Sequence, residues 1–324
     1  LSGPLDMSGD VKFGASGQGG RVVVSADTIT SDASVTLAAG TLQIGSAAAG
    51  GGLLANGDTT VDESAVLDLN GIATTLGALD GAGLVTSSTA GDVILLLNGD
   101  ADWDGTIEDG LGTVAVTVAG SGTSVFSGDN TYSGETRITG ASTLQLNAED
   151  AIANSAVVID AGSTLALATS ATTAGLSGAG KLNLDSHDLT VDSAVSSTFS
   201  GTSAASSGGL IKDGSGELTI TSAQSYTGAT RVAGGRLTLS DAGALNSDSI
   251  VLEGGDLVVM GGALKSSASV AVGAASSLSL SGAQTLAKIT GSGEVAMSTD
   301  TTELTLSNNS DTAFNGVISG ATGG

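Results

Sequence analysis

The chain contains no cysteine, one proline, one histidine, seven aromatic residues and only nine lysines and arginines in 324 residues. The absence of thiols excludes a disulfide framework and any thiolate metal site. With so few aromatics and prolines beside 51 glycines, the composition is far from that of a compact enzyme, whose core is filled by larger side chains. Nine basic residues against 33 acidic ones leave a net charge of −24, which repels polyphosphate chains and anionic lipid headgroups. Nucleic acid and membrane surfaces are therefore excluded as expected partners. The longest purely aliphatic run, Val93 to Leu97, is too short to cross a bilayer, and no charged-then-apolar segment opens the chain. Any export signal is expected to lie outside this sequence.

What the chain does have is 40% hydrophobic residues, mostly Val, Ile, Leu and Ala, in short regular runs that can bury enough surface to offset chain entropy. Ser34-Val35-Thr36-Leu37, a turn at Ala38-Ala39-Gly40 and Thr41-Leu42-Gln43-Ile44 set the pattern. It returns at Val157-Val158-Ile159 with Thr164-Leu165-Ala166-Leu167, at Ile250-Val251-Leu252 with Asp256-Leu257-Val258-Val259, and at Val270-Ala271-Val272 with Ser277-Leu278-Ser279-Leu280. Strands of three to five residues closed by small turn residues are expected throughout. No dozen residues keep a 3.6-residue apolar period, so helices are nearly excluded, and Ala148 to Ala156 reads as loop.

The chain also repeats itself. Thr131-Tyr132-Ser133-Gly134-Glu135-Thr136-Arg137-Ile138 returns as Ser225-Tyr226-Thr227-Gly228-Ala229-Thr230-Arg231-Val232, and the likeness continues through Leu144-Gln145-Leu146 and Leu237-Thr238-Leu239. Larger modules are marked by Leu79-Asp80-Gly81-Ala82-Gly83, Leu176-Ser177-Gly178-Ala179-Gly180 and Ile289-Thr290-Gly291-Ser292-Gly293. Each is followed by an aromatic residue two positions before a glycine: Trp103 and Gly105, Phe199 and Gly201, Phe314 and Gly316. Repetition of this kind points to a stacked fold in which each unit contacts its neighbours. Without Asn-Gly or Asp-Gly hairpin turns between paired strands, a coil of parallel strands is expected rather than a hairpin sheet. The expected fold is all-β, a right-handed parallel β-helix or solenoid with turns of about 20 residues. It forms one elongated domain over 1–324, with modules at roughly 41–143, 144–236 and 237–324. The last module breaks off at Gly323-Gly324, so the chain reads as a piece of something longer.

The order Gly216-Glu217-Leu218-Thr219-Ile220, Tyr226-Thr227-Gly228-Ala229-Thr230, then Arg236-Leu237-Thr238-Leu239 resembles the passenger-associated transport repeat of autotransporters, proteins exported by Gram-negative bacteria. The earlier copy, Val125 through Leu146, differs by Phe126 in place of Ile220 and by one extra residue before Leu144. The resemblance implies a β-helical passenger displayed on the bacterial cell surface through a C-terminal outer-membrane barrel that this sequence lacks, or secreted. It also implies an adhesin acting in self-association, aggregation and biofilm formation or in host attachment. The implied partners are the same protein on neighbouring cells, or host extracellular-matrix or glycan ligands. A passive stalk presenting an N-terminal enzymatic domain is the alternative.

Catalytic chemistry has little to stand on. His187, within Asp185-Ser186-His187-Asp188, lacks a Gly-x-Ser-x-Gly elbow elsewhere in the chain and reads as a solvated loop residue, so no enzyme is expected. One metal candidate exists: Asp100, Asp102, Asp104 and Glu108 reproduce the opening of a calcium loop, with Gly105 to turn the chain. Its twelfth position is Leu111, where a bidentate Glu belongs. Calcium is otherwise the only cofactor suggested. Tyr132 and Tyr226 read as packing residues before sugar-stacking ones, and Arg137 and Arg231 as partners of nearby carboxylates.

Overall fold

The computed structural model describes residues 5–6, 11–14, 20–25, 29–30, 34–47, 57–240, 242–260, 263–298, 302–307 and 313–320. Gly323 and Gly324 lie outside these. The named elements are all β-strands and all their pairings are parallel, so the fold is an all-β parallel β-solenoid. Ala148 to Ser155 form turns rather than a helix. The chain divides into two units, Leu1–Ala171 and Thr172–Gly324.

In the first unit three parallel faces are built in rotation. One stacks Val11–Phe13, Val35–Leu37, Asp58–Val61, Ala78–Gly81, Asp102–Trp103, Thr123–Phe126, Thr143–Leu146 and Thr164–Leu167. A second stacks Arg21–Val24, Gly40–Ile44, Ala65–Asp68, Leu84–Ser87 and Thr106–Gly110. The third stacks Thr74–Leu76, Val93–Leu97, Val114–Val118, Thr136–Ile138 and Ala156–Ile159. The strand-turn-strand signals in the sequence are thus corners between faces. Val35–Leu37 pairs with Asp58–Val61 one turn on, not with the adjoining Gly40–Ile44, which pairs with Ala65–Asp68.

The second unit follows the same plan. One face stacks Gly175–Gly178, Ser197–Phe199, Glu217–Ile220, Arg236–Ser240, Asp256–Met260, Ser277–Leu280, Glu294–Met297 and Val317–Ser319. Another stacks Leu189–Asp192, Leu210–Asp213, Thr230–Val232, Ser249–Leu252, Ser269–Val272 and Lys288–Gly291. The remaining side carries short pairs such as Ala244–Leu245 with Ala263–Leu264.

Alternation places the core. In Val114–Val118 the three valines are buried while Ala115 and Thr117 face outward, and Glu217–Ile220 buries Leu218 and Ile220 in the same way. Because the register is direct, inner residues form columns: Trp103, Phe126, Leu146 and Leu167 are stacked neighbours. Each such side chain contributes about 1.5–3 kcal/mol by leaving water, against roughly 1–2 kcal/mol of backbone entropy per ordered residue.

A glycine of left-handed φ stands one turn before Trp103 and one turn before Phe199 in the column. Gly81 pairs with Trp103 and has φ +105°; a Cβ there would lie 2.3 Å from the Val61 carbonyl oxygen. A Cβ on Gly105 would lie 2.5 Å from the Trp103 ring. Gly178, at φ +101°, meets Phe199 in the same way. The glycine-rich marker and the aromatic-x-Gly marker of each module are therefore two halves of one packing unit, a turn apart.

Candidate functional site: the repeated tyrosine motif and the outward columns

Both tyrosines of the repeat are core residues. Tyr132 is 1% exposed and Tyr226 is 0% exposed, each on a strand-free stretch of its turn where the ring fills the space between neighbouring turns. Each phenol is anchored by a chain of buried hydroxyls. Tyr132 Oη lies 2.6 Å from Thr136 Oγ1, which lies 2.7 Å from Ser155 Oγ, and Ser155 donates to the Gly134 carbonyl at 2.6 Å. In the second copy Tyr226 Oη is 2.9 Å from Thr230 Oγ1, and Thr230 Oγ1 is 2.6 Å from Ser247 Oγ. Burial pushes the Tyr132 phenol well above its ordinary range and that of Tyr226 up to about 12, the hydroxyl neighbours only partly opposing this.

The residue before each motif is a buried amide. Asn130 accepts from Ile107 N at 2.7 Å and donates to Ala151 O at 2.9 Å, so it ties together the turns below and above. Gln224, at the corresponding place, donates to Gly201 O and Ser222 O, both at 3.0 Å. Sequence reasoning fixed on Tyr and Thr and missed Asn130, Gln224, Ser155 and Ser247. The signal was present, since each serine follows an asparagine, Asn154 and Asn246, one turn after its tyrosine.

The arginines of the motif face outward, as expected, and each is clasped by a carboxylate one turn on. Arg137 donates to Asp160 at 3.0 and 2.7 Å, and Arg231 to both oxygens of Glu253 at 2.8 and 2.7 Å. Exposed pairs of this kind add about 0–1 kcal/mol.

Two further polar clusters stand out. Asp68, 5% exposed, accepts from Ser88 Oγ at 2.6 Å, Ser88 N at 2.9 Å, Gln43 Nε2 at 2.6 Å and Asn70 N at 2.9 Å, and Gln43 in turn accepts from Arg21. Burial would raise its carboxyl, but the donors outweigh it and hold Asp68 below the usual value. Lys212 is fully buried between Val191 and Val232, with its ammonium donating to the carbonyls of Asp213 and Gly214. Desolvation lowers its pKa, against the pull of Asp213 and Asp192.

The calcium candidates are dispersed. Asp100, Asp102 and Asp104 are exposed along one face, Asp102 stacked on Asp80, whereas Glu108 belongs to the neighbouring face. Among the described residues no three His, Cys, Asp or Glu side chains form a group that could hold a metal ion. Asp58, Asp80 and Asp100 line an open groove of about 520 Å³; burial, then the charges of Asp58 and Asp102, raise the Asp80 carboxyl. His187 sits half-exposed in a bend, where its backbone N–H donates to Leu184 O at 2.8 Å.

The geometry defines a class first: parallel β-solenoid units organised around a repeated Tyr-Thr-Ser core set. The passenger-associated transport repeat family then matches residues 116–146 and 210–239, the two segments that hold Tyr132 and Tyr226. These matches support an autotransporter passenger domain carrying such repeats and, with it, a secreted or surface-exposed protein. No curated protein and no solved structure gives a significant match.

Proposed function

We propose that this passenger is a cell-surface adhesin, which mediates bacterial self-association and biofilm formation or attachment to host matrix or glycans through outward faces of its solenoid. It would be held at the outer membrane through a C-terminal barrel or be released. The observation that carries the reading is the recurrence of like side chains at turn spacing. Thr123, Thr143 and Thr164 are in direct register and none is buried, and the same holds for Thr198 and Thr219. Weak contacts repeated along a rigid face sum by multivalency. The reading is of a binding protein rather than an enzyme, in line with a sequence that has one histidine and no Gly-x-Ser-x-Gly elbow.

At a charge of −24, close approach of two copies requires counter-ions, so clumping is expected to strengthen with added divalent salt. A passive stalk is the second reading, favoured by the fact that the most strictly repeated residues serve the core. The test is display on otherwise non-adherent bacterial cells, with settling and matrix-binding measured against cells lacking the passenger. Clumping or attachment that depends on the passenger supports the adhesin; behaviour identical with and without it leaves the stalk.

A further inference from the structure

The two repeat copies share a fold but differ in one outward column. In the first copy, the residues opening Thr123–Phe126, Thr143–Leu146 and Thr164–Leu167 are Thr123, Thr143 and Thr164, stacked in direct register. In the second, the residues opening Glu217–Ile220, Arg236–Ser240 and Asp256–Met260 are Glu217, Arg236 and Asp256, again in direct register. Threonine satisfies the fold at all three places. The charges are an addition that the solenoid does not need.

These three residues line an open groove of about 360 Å³ together with Ser196, Ser215 and Gly235. Its hydrogen-bonding capacity is largely unspent. Thr238 Oγ1 donates to Glu217 Oε1 at 2.5 Å, and Ser277 donates to Asp256 Oδ1 from N at 3.0 Å and Oγ at 2.7 Å. Glu217 Oε2 and Asp256 Oδ2 have no donor at hydrogen-bond distance among the described residues. The Arg236 guanidinium is 52% exposed and comes no nearer to Asp256 than 4.0 Å. That sets it apart from Arg137 and Arg231, whose forks are occupied by carboxylates.

We propose that the groove of Glu217, Arg236 and Asp256 binds a neutral sugar unit. Vicinal hydroxyls both donate and accept, so one diol can donate to a free carboxylate oxygen while accepting from the guanidinium fork. Two carboxylates around one guanidinium disfavour an anionic sugar, and Arg236 at the centre disfavours a lysine-rich peptide. A volume of 360 Å³ falls in the range of roughly 300–1,000 Å³ typical of small-molecule sites. No aromatic ring lines the groove, so a single site is weak, with Kd about millimolar, and useful attachment comes from many copies on one cell. This rests on the adhesive reading above and gives its glycan-binding form a place and a ligand class.

The test is saturation-transfer NMR on the 324-residue chain with methyl α-mannoside, methyl β-galactoside or sialic acid at about 10 mM each. The comparison is the triple variant Glu217→Thr, Arg236→Thr, Asp256→Thr, which copies the first repeat and should keep the wild-type circular dichroism and melting temperature. Arg236→Lys, which keeps the charge and loses the planar fork, is the second variant and decides the matter alone if the triple variant does not fold. Transfer to a neutral glycoside, reduced about five-fold or more by either folded variant, is the expected result. The proposal is overturned if neither neutral glycoside receives transfer, if the folded variants match the wild type, or if sialic acid is preferred. Settling of displaying cells reports on adhesion separately, so an adhesin that ignores these sugars is distinguished from a stalk.

Discussion

Trp103 rests in direct register on Gly81, and that glycine holds φ +105° against the turn before it. Placing a Cβ at Gly81 drives it to 2.3 Å from the Val61 carbonyl oxygen. We expect Gly81→Ala to cost about 2–4 kcal/mol, from strain and overpacking together, read as a lower denaturation midpoint. Trp103→Phe tests the same unit from the other side. The indole Nε1 is buried without a hydrogen-bond partner, and phenylalanine occupies the corresponding places at 199 and 314. This variant should stay within about 1 kcal/mol of wild type; a loss as large as that of Gly81→Ala would show that indole volume, not aromatic shape, fills the site.

The corner before Thr143 in the first repeat has a physical cost. Ala141 has φ +68°, a conformation that the second copy gives to Gly235 at +59°. Ala141→Gly should therefore stabilise the chain, by about 0.5–1 kcal/mol, and an unchanged or lower melting temperature would contradict it.

Removing the phenol oxygen in Tyr226→Phe leaves Thr230 bonded to Ser247, so the expected cost is about 1 kcal/mol, whereas Tyr226→Ala opens a cavity at about 3–5 kcal/mol. The pH dependence has a definite sign. The unfolded tyrosine ionises near 10 and the folded Tyr226 near 12, so below 10 both states hold the proton and stability is flat. Above 10 the unfolded state loses it first, and stability falls as pH rises through that window. Absorbance at the phenolate band should accordingly show neither tyrosine titrating at 10 while the protein is folded.

Lys212 spans a column otherwise filled by Val191 and Val232, and its stem packs as a hydrophobe. Lys212→Met keeps that volume without a desolvated ammonium and should be neutral or stabilising, within about 1.5 kcal/mol, while Lys212→Ala should lose about 2–3 kcal/mol. Equal losses in both would mean that the ammonium's bonds to the carbonyls of Asp213 and Gly214 dominate.

Asp68 gives the acid limb. Its carboxyl is held below 3.8, so its contribution is present above that value and is lost as pH falls through the lower, folded-state pKa. Asp68→Asn should cost about 1–3 kcal/mol at neutral pH, because the new amide N–H₂ faces the Gln43 and Ser88 donors. It should also flatten the acid side of the stability curve measured by denaturant titration.

Short strands, glycine corners and a tyrosine motif that returns with its Tyr, Gly, Thr and Arg kept were legible because local backbone chemistry and repetition are written along the chain. Val114–Val118 and Glu217–Ile220 show in the structure the alternation that such short aliphatic strands carry. The pairing of Arg137 and Arg231 with carboxylates followed from composition, but Asp160 and Glu253 as the partners did not, since register across a turn joins residues more than twenty positions apart. The same applies to the buried serines: the Asn-Ser pair recurs in the sequence, but only register brings Ser155 to the hydroxyl of Thr136 and so to Tyr132. The four carboxylates that spell a calcium loop failed to converge because a corner of the solenoid sends Glu108 onto a different face from Asp102.

By itself the amino-acid order determined the class of fold, the repeat and the acidic surface, since each depends on residue type and near neighbours. Stacking decided the rest. Which glycine receives which aromatic, which hydroxyl completes the tyrosine, and whether an outward column reads Thr-Thr-Thr or Glu-Arg-Asp are properties of register, and register exists only once one turn lies on the next.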